Sequence, residues 1–454
     1  MREPESDFDF IQPFFLGPAA ENDQLLESLV TEFLRDHAFW RRNFHPEDGF
    51  RISAGARNRP DFLDAQARIR SELYSLSAKL KRAVPFFHPR YVGHMTGDLL
   101  LPGLVAKLIT TLYNPNNVSE EAAPVTVEME LQVGEQLAAM FGLSCDESVE
   151  PCAWGHLTSG GTVANYEALW NFRSLKFYGI ALREGARACD WDPEGVGPAA
   201  KKLSEYTTWE LLNLSIDQTV AIRRQVATLL MKRGGKAEFR EFSVAVRKER
   251  IEHLGTAGFF LKHQIQPPRV LVSSSAHYSW AKGMKVLGLG TAHLHEVAVD
   301  DHMRMDPAAL EAAIEAAVEA CAPILCVTGM LGTTEFGTVD PIQSIVESRD
   351  RWRAKGVDFP IHVDAAWGKA VGWGGSGHGV ARRWQPEREA PMEGGGKSRR
   401  PRPDYRTGPS LFSWISWLRP SRSRSRHASS TCSPDPERPR RRGPSGRSSR
   451  RNRP

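Results

Sequence analysis

Residues 359–368 read Phe-Pro-Ile-His-Val-Asp-Ala-Ala-Trp-Gly, an apolar run that ends in a carboxylate and is followed by small residues. Pro360 and Gly368 bound this run, and the pattern predicts a short buried strand that leads into a loop. A carboxylate at the carboxyl end of a parallel strand lies where open α/β sheets bind ligands. Asp364 is therefore a candidate site residue. The alternative is that Asp364 caps the element that follows.

Strand and helix patterns alternate on the amino-terminal side of this run. Apolar segments predict strands at 153–157, 269–273, 293–299, 324–328 and 359–363. Amphipathic or capped segments predict helices at 124–141, 162–178, 278–286, 307–320 and 341–352. Asp306 and Pro307 are a typical N-cap and first helical residue. The alternation predicts an α/β fold with a mostly parallel sheet and helices on both faces.

The chain divides into three predicted regions. Residues 1–125 carry amphipathic stripes near 25–34 and 62–80, and they predict an N-terminal helical arm with substrate-side loops. Residues 126–380 predict the large ligand-binding domain, with a polar helical insertion at 185–265. Residues 381–454 are rich in Arg, Pro and Ser, and this composition predicts disorder. An Arg/Ser-rich tail of this kind is typical of segments that bind RNA or acidic partners. The alternative is an unselected tail, for instance one that results from an out-of-frame or unspliced reading.

The charge distribution and the cysteine spacing argue against a nucleic-acid-binding surface, a disulfide framework and a metal site. The formal net charge is +5, but the basic residues are concentrated in 381–454, so the preceding part is acidic overall. We therefore expect no nucleic-acid surface on the folded part. The six cysteines lack metal-ligand or disulfide spacing, so we expect reduced thiols in the cytoplasm and no metal. Neither a secretory signal nor a membrane-spanning run is visible in the sequence.

Three further stretches follow predicted strands and carry polar groups. Residues 158–162, Thr-Ser-Gly-Gly-Thr, offer backbone N–H groups and hydroxyls at a helix N-terminus, which suits a phosphate. His277 suits stacking on a flat ring, and residues 332–338 offer hydroxyls to a polar ligand. Alone, each has a simpler interpretation as a turn or an ordinary histidine. Together with Asp364 they indicate a phosphate, a flat ring and a basic ring nitrogen, the features of pyridoxal phosphate.

The motifs resemble those of the pyridoxal-phosphate-dependent group II amino-acid decarboxylases, which act on glutamate, aromatic amino acids or tyrosine. The resemblance is greatest to the microbial tyrosine decarboxylases, and it covers roughly residues 20–375. The segments that carry it are His88-Pro89-Arg90-Tyr91, Leu112-Tyr113-Asn114-Pro115-Asn116-Asn117, Trp154-Gly155-His156, Ser159-Gly160-Gly161-Thr162-Val163-Ala164-Asn165, His277-Tyr278-Ser279-Trp280, Gly332-Thr333-Thr334 and His362-Val363-Asp364-Ala365-Ala366.

This resemblance implies the aspartate-aminotransferase-like fold of type I enzymes, with a seven-stranded type of sheet, and usually a homodimer. It implies pyridoxal 5′-phosphate as the cofactor and decarboxylation of a small-molecule amino-acid substrate, tyrosine or another aromatic one. By resemblance, the cofactor-binding residues are Ser159, Gly160, Gly161, Thr162, His277, Thr334, Asp364 and Ala366. His277 and Asp364 are implied to be catalytic, and His94 to face the substrate.

The sequence departs from the family pattern after Asp364. Family members continue to a His-Lys pair, whose lysine binds the cofactor covalently, but no such pair follows here. Lys369 is too near Asp364, and Lys397 follows a glycine run without a predicted strand. We therefore expect a match that ends before the catalytic lysine and the small C-terminal domain, and little turnover by this chain. Two alternatives are a non-catalytic partner of a full-length decarboxylase, and another type I enzyme such as an aldehyde-lyase or aminotransferase.

Overall fold

Four parallel strands form the sheet at the centre of the described chain. The computed structural model describes residues 9–93, 96–146 and 152–368. The strands are β1 (Arg269–Ser273), β2 (Leu294–Val297), β3 (Ile324–Met330) and β4 (Ile361–Asp364), and they lie in the order β2-β1-β3-β4. β3 is buried along its whole length, as expected for an apolar strand with a neighbour on each side. The strands predicted at 269–273, 293–299, 324–328 and 359–363 are confirmed, with small differences at their ends.

One face of the sheet is covered by two helices that follow strands in the sequence. Leu271, Val327 and Val363 belong to one hydrophobic cluster with residues of α14 (Pro307–Glu319) and α15 (Ile342–Ala354). The predicted start of α14 is confirmed, because its N-cap carboxylate accepts a hydrogen bond from the backbone N–H two residues later, at 2.8 Å.

The opposite face of the sheet packs on α6 (Gly161–Lys176) and α13 (Ser279–Val286). Val270, Val272 and Cys326 lie there in a second cluster with apolar residues of both helices. Side chains of a strand alternate between faces, so each helix pair meets its own set of strand residues. The predicted α/β architecture, with a parallel sheet between helices, is confirmed.

The remaining helices lie away from the sheet faces or at their margins. They are α1 (Asp23–Asn43), α2 (Ala54–Arg57), α3 (Pro60–Leu80), α4 (Leu101–Tyr113), α5 (Pro124–Met140), α7 (Tyr178–Ala188), α8 (Thr208–Leu212), α9 (Ile216–Arg233), α10 (Gly235–Glu249), α11 (Ile251–Leu254) and α12 (Thr256–His263). The N-terminal stripes predicted as helices correspond to α1 and α3. Helix α3 buries none of its residues in this chain.

Helices α7 to α12 form a unit with a hydrophobic core of its own. In α9, Ile222, Val226 and Leu230 are buried at a spacing of four residues, which places them on one side of the helix. They pack in a cluster with Leu211 and Phe259. Helices α8 to α12 lie within the insertion predicted at 185–265, and they contribute to an apolar core; the bounds of the insertion stay a prediction.

The strand predicted at 153–157 is wrong. Residues 152–158 have no regular secondary structure. Gly155 packs directly on Gly134 of α5, where an added Cβ would lie 2.3 Å from the Gly155 carbonyl oxygen. A strand needs the backbone of another strand for its hydrogen bonds. Within the described residues this stretch contacts a helix instead, so its apolar composition reflects packing rather than pairing.

The described residues do not test several of the predictions. The tail at 381–454 lies outside the described residues, and the domain boundaries and the larger sheet stay predictions. Within residues 9–93, 96–146 and 152–368, no helix is long and apolar enough to cross a membrane, and no acidic, His and Cys cluster is arranged for a metal ion. In the same ranges Cys145, Cys152, Cys189, Cys321 and Cys326 are free thiols.

Lys176, at the end of α6, should make the stability of the fold depend on alkaline pH. Its Nζ donates to the carbonyl oxygen of Asp358 at 2.7 Å, and burial lowers its pKa from 10.5 to about 8, against opposing effects of Asp358 and Cys326. Between these values the unfolded chain binds more protons, so the free energy of unfolding gains a contribution that rises with pH. Lys176→Met should remove this rise, as measured by urea unfolding over a pH series.

The exposed Lys232 of α9 supplies the matched control. Lys232→Met should leave the pH dependence unchanged, since this side chain is exposed and takes no part in the buried contact of Lys176. If the free energy of unfolding changes equally with pH in the parent chain and in Lys176→Met, the assignment of this effect to the buried amine is wrong.

Candidate functional site

The Asp364 carboxylate ends β4 at the carboxyl edge of the sheet and is only 6% exposed. His362 and Asp364 point to the α6 and α13 side, while Val363 between them packs on the opposite face. Oδ2 of Asp364 accepts hydrogen bonds from Asn165 Nδ2 at 2.8 Å and from Trp280 Nε1 at 3.2 Å. The buried carboxylate is therefore held by donors from two different helices.

Asn165 connects Asp364 to two further buried side chains. Its Nδ2 also donates to Ser279 Oγ at 3.0 Å, and its Oδ1 lies 3.0 Å from His362 Nε2. The His362 ring packs edge-on against the Trp280 ring, with 5.2 Å between their centroids. Burial lowers the pKa of His362, against the opposing attraction of the Asp364 carboxylate, so the imidazole is neutral near pH 7.

A glycine turn leads into the first residues of α6, beside the loop that follows β4. Gly160 has φ +117° and ψ 168°, a conformation that residues with a side chain rarely adopt. A Cβ added at Gly161 would lie 2.8 Å from the Ala366 Cβ, so a larger residue would displace that loop. Ser159 is exposed and Thr162 half-buried next to this turn. The predicted phosphate stretch therefore lies against predicted residue Ala366.

His277 lies just beyond β1, at the same edge of the sheet. Its Nδ1 accepts a hydrogen bond from the Ser279 backbone N–H at 3.2 Å, and its ring centroid lies 4.0 Å from that of Tyr278. Because the Ser279 hydroxyl bonds to Asn165, the His277 loop is connected to the group around Asp364. The imidazole itself is half-buried.

The loop after β3 reaches the same edge. Thr333 Oγ1 accepts from the Thr338 backbone N–H at 3.1 Å and lies 2.9 Å from Thr338 Oγ1, so this hydroxyl stabilises its own loop. Thr334 is half-buried beside it. Gly332 has φ +90°, and an added Cβ there would lie 3.1 Å from the Gly368 nitrogen. The loops after β3 and β4 are thus in contact.

Asp340 is a buried carboxylate that sequence reasoning missed. It accepts hydrogen bonds from the backbone N–H groups of Met305 at 2.7 Å and Met330 at 2.8 Å. Burial raises its pKa, and these two bonds oppose that rise. The side chain joins the end of β3 to the loop before α14. Its position just before Pro341 looks like an ordinary helix start, so the sequence carries no signal of this role.

A cavity of about 280 Å³ lies beside β4. Its walls are α5, the irregular segment 153–158, the first half of α6, and β4 with the loop that follows. Four predicted site residues line it: Gly160, Gly161, Asp364 and Ala366. Four others surround the same edge without lining the cavity: Ser159, Thr162, His277 and Thr334. The predicted substrate residue His94 lies outside the described residues.

A contact between a histidine and a glutamate also lines the cavity. His156 Nε2 lies 2.8 Å from Glu167 Oε2, and the Trp154 ring stacks on His156 at 5.1 Å between centroids. All three residues border the cavity. Sequence reasoning gave them no role, although His156 and Trp154 belong to one of the segments that carry the family resemblance.

Comparison with known proteins defines the class of this fold and site. Residues 235–371 match the model of the pyridoxal-dependent decarboxylase conserved domain. This segment includes all four strands together with His277, Thr334, Asp364 and Ala366. The resemblance to pyridoxal-dependent decarboxylases that the motifs indicate is confirmed over this segment.

Among curated proteins, the chain is similar to L-tyrosine decarboxylases. That of Levilactobacillus brevis is 32% identical over 360 residues, which cover 79% of this chain and 51% of the relative. That of Enterococcus faecium is 32% identical over 79% of this chain and 52% of the relative. The chain thus spans about half the length of these relatives. A crystal structure of mouse CSAD in apo form aligns with 77% of this chain and 56% of that chain, at 21% identity and a TM-score of 0.42.

The contact between the glycine turn and Ala366 can be tested by paired substitutions. Gly161→Ala should lower the free energy of unfolding by about 1–3 kcal/mol, because the added methyl group overpacks the contact with Ala366. Ala366→Gly in the same chain should restore part of this loss. Denaturant unfolding measures both effects.

Gly258 in α12 is the control, since a Cβ there meets nothing within 4 Å. Gly258→Ala should keep or raise stability, because alanine favours the helix. A double variant no more stable than Gly161→Ala alone would show that the two loops do not press on each other.

Proposed function

We propose that the chain is the cofactor-binding part of a pyridoxal-phosphate-dependent amino-acid decarboxylase, a carboxy-lyase. One observation carries this proposal: the buried Asp364 carboxylate ends a parallel strand, lines the cavity, and lies in the same site as the glycine turn of α6. The decarboxylase domain match and the similarity to tyrosine decarboxylases support the same class.

The residues present suit pyridoxal 5′-phosphate at both ends of the molecule. For the phosphate, we assign the turn that opens α6, with Ser159, Gly160, Gly161 and Thr162. Backbone N–H groups and the helix dipole favour an anion there, and Gly160 lets the backbone approach it closely. For the ring nitrogen, we assign Asp364, since a carboxylate stabilises the protonated ring.

We assign the remaining predicted residues to the ring faces and edges. His277 covers one face, Ala366 the other, and Thr334 reaches the polar edge. Support comes from their position, since all three follow strands at the carboxyl edge where Asp364 lies. We also retain His94 on the substrate side, as the resemblance implies.

When bound, the cofactor accepts the electron pair that remains on the substrate α-carbon as carbon dioxide leaves. Asp364 keeps a proton on the ring nitrogen through a charge-assisted hydrogen bond, which makes the ring a better acceptor. The glycine turn holds the phosphate, and His277 limits tilting of the ring. Burial of Asp364 reduces competition from water for its oxygen atoms.

We propose an aromatic L-amino acid, with L-tyrosine first, as the substrate of the whole enzyme. The support is the similarity to two bacterial L-tyrosine decarboxylases over 79% of this chain. The absence of a covalently binding lysine stays a prediction from sequence, because Lys369 and Lys397 lie outside the described residues.

We also propose a homodimer that operates in the cytoplasm. Helix α3 exposes Ile69, Leu73 and Leu80 and buries none of its residues within one chain, so a second copy would gain by covering it. The free thiols of the described cysteines support a reducing compartment.

The cofactor proposal predicts binding that depends on Asp364. Pyridoxine phosphate has the ring and phosphate of the cofactor but no aldehyde, so it cannot bond covalently to surface lysines. Calorimetry should show saturable binding of this ligand. Asp364→Ala should weaken the binding about tenfold or more, because a charge-assisted hydrogen bond is lost.

The exposed Asp301 supplies a carboxylate control for comparison. Asp301→Ala should bind pyridoxine phosphate as the parent chain does. If folded parent protein does not bind the ligand, or if both substitutions have the same effect, the proposed cofactor site is wrong.

The substrate proposal predicts selectivity between stable conjugates of the cofactor with amino acids. Reduced phosphopyridoxyl-L-tyrosine should bind about tenfold more tightly than phosphopyridoxyl-L-glutamate, because the cavity walls are mainly apolar and leave a second carboxylate unpaired. Competition against pyridoxine phosphate measures the difference. Tighter binding of the glutamate conjugate would reject an aromatic substrate.

A further inference from the structure

We propose that Asn165 is a positioning residue: its amide, oriented by His362, turns the Asp364 carboxylate so that Oδ1 remains for the cofactor ring nitrogen. This inference rests on the proposed function and deepens it. No motif or match assigns a role to either side chain. Asn165 contacts three other buried side chains, those of Ser279, His362 and Asp364.

The orientation of the Asn165 amide follows from its neighbours. Its Nδ2 lies 2.8 Å from Asp364 Oδ2, and an ionised carboxylate only accepts hydrogen bonds. A flipped amide would set its carbonyl oxygen against the carboxylate. The NH₂ group therefore faces Asp364, and its second hydrogen meets Ser279 Oγ at 3.0 Å.

His362 completes this arrangement from the other side of the amide. Its Nε2 lies 3.0 Å from Asn165 Oδ1, which is an acceptor, so the neutral ring carries its hydrogen on Nε2. The ring is held by Trp280 at 5.2 Å and Phe172 at 6.4 Å between centroids. The imidazole N–H thus supports the amide orientation that the Asp364 carboxylate requires.

The two carboxylate oxygens of Asp364 therefore differ in the hydrogen bonds that they accept. Oδ2 accepts from both Asn165 and Trp280 Nε1. Among the described residues, Oδ1 accepts only one long bond, 3.4 Å, from the Ala366 backbone N–H. The freer oxygen belongs to a residue that lines the cavity. Two donors on one oxygen therefore orient the carboxylate and leave the other oxygen able to accept a short bond.

Two substitutions at His362 test this inference. His362→Leu removes the donor to Asn165 Oδ1, and His362→Gln restores a donor where Nε2 lay. Binding of pyridoxine phosphate by calorimetry should weaken about tenfold for His362→Leu and return to within about threefold of the parent chain for His362→Gln. Asn165→Leu, of similar volume, should weaken binding at least as much.

The second readout is the ultraviolet spectrum of the bound ligand, which differs between protonated and unprotonated ring nitrogen. Over a pH series, the bound ligand should lose its ring proton at lower pH in His362→Leu and Asn165→Leu than in the parent chain. A purely structural role would lower the folded fraction without changing the spectrum of the ligand that is bound. Circular dichroism of each variant records that folded fraction.

The outcomes separate this inference from the proposed function. If the parent chain binds and Asp364→Ala weakens binding, the cofactor site holds. Unchanged ring titration in folded His362→Leu or Asn165→Leu would then overturn the positioning role alone. Equal effects of His362→Leu and His362→Gln would overturn the role of His362. If the parent chain does not bind the ligand, the proposed function itself fails.

Discussion

The structure depends on keeping one negative charge buried at the end of β4. Asp364 is 6% exposed, and an unpaired carboxylate at that depth would be costly. The chain meets this cost with donors from two helices, Asn165 on α6 and Trp280 on α13. The same bonds connect the strand to both helices on its face, so this buried carboxylate also organises the sheet edge.

Glycine is the second constraint at this edge. The loops after β3 and β4 pack within van der Waals contact where Gly332 meets Gly368, and the first turn of α6 meets Ala366 at Gly161. Side chains at these glycines would separate the loops by the width of a methyl group. These small residues therefore keep the loops after β3 and β4 and the first turn of α6 close together, even though the α6 turn is far from both loops in sequence.

Some parts of the described chain bury their apolar side chains, and other parts leave them exposed. The unit of α7 to α12 closes its own apolar core, and both faces of β3 are covered. Helix α3 instead exposes its apolar side chains, and the cavity beside β4 is bordered by an irregular segment where a strand was expected. The chain spans about half the length of its tyrosine decarboxylase relatives.

The sequence by itself determined the strands and helices from residue 269 to Asp364, the α/β class, and the candidate residues of the site. Those features follow from local patterns: apolar runs, caps such as Asp306, and glycines in turns. The tertiary structure alone decided that 153–157 is not a strand, because pairing depends on which segment lies nearby. It also decided the contacts of Asn165 and His362, since their hydrogen bond joins residues nearly 200 positions apart. No local pattern records such a contact, because it exists only once the helix and the strand have packed together.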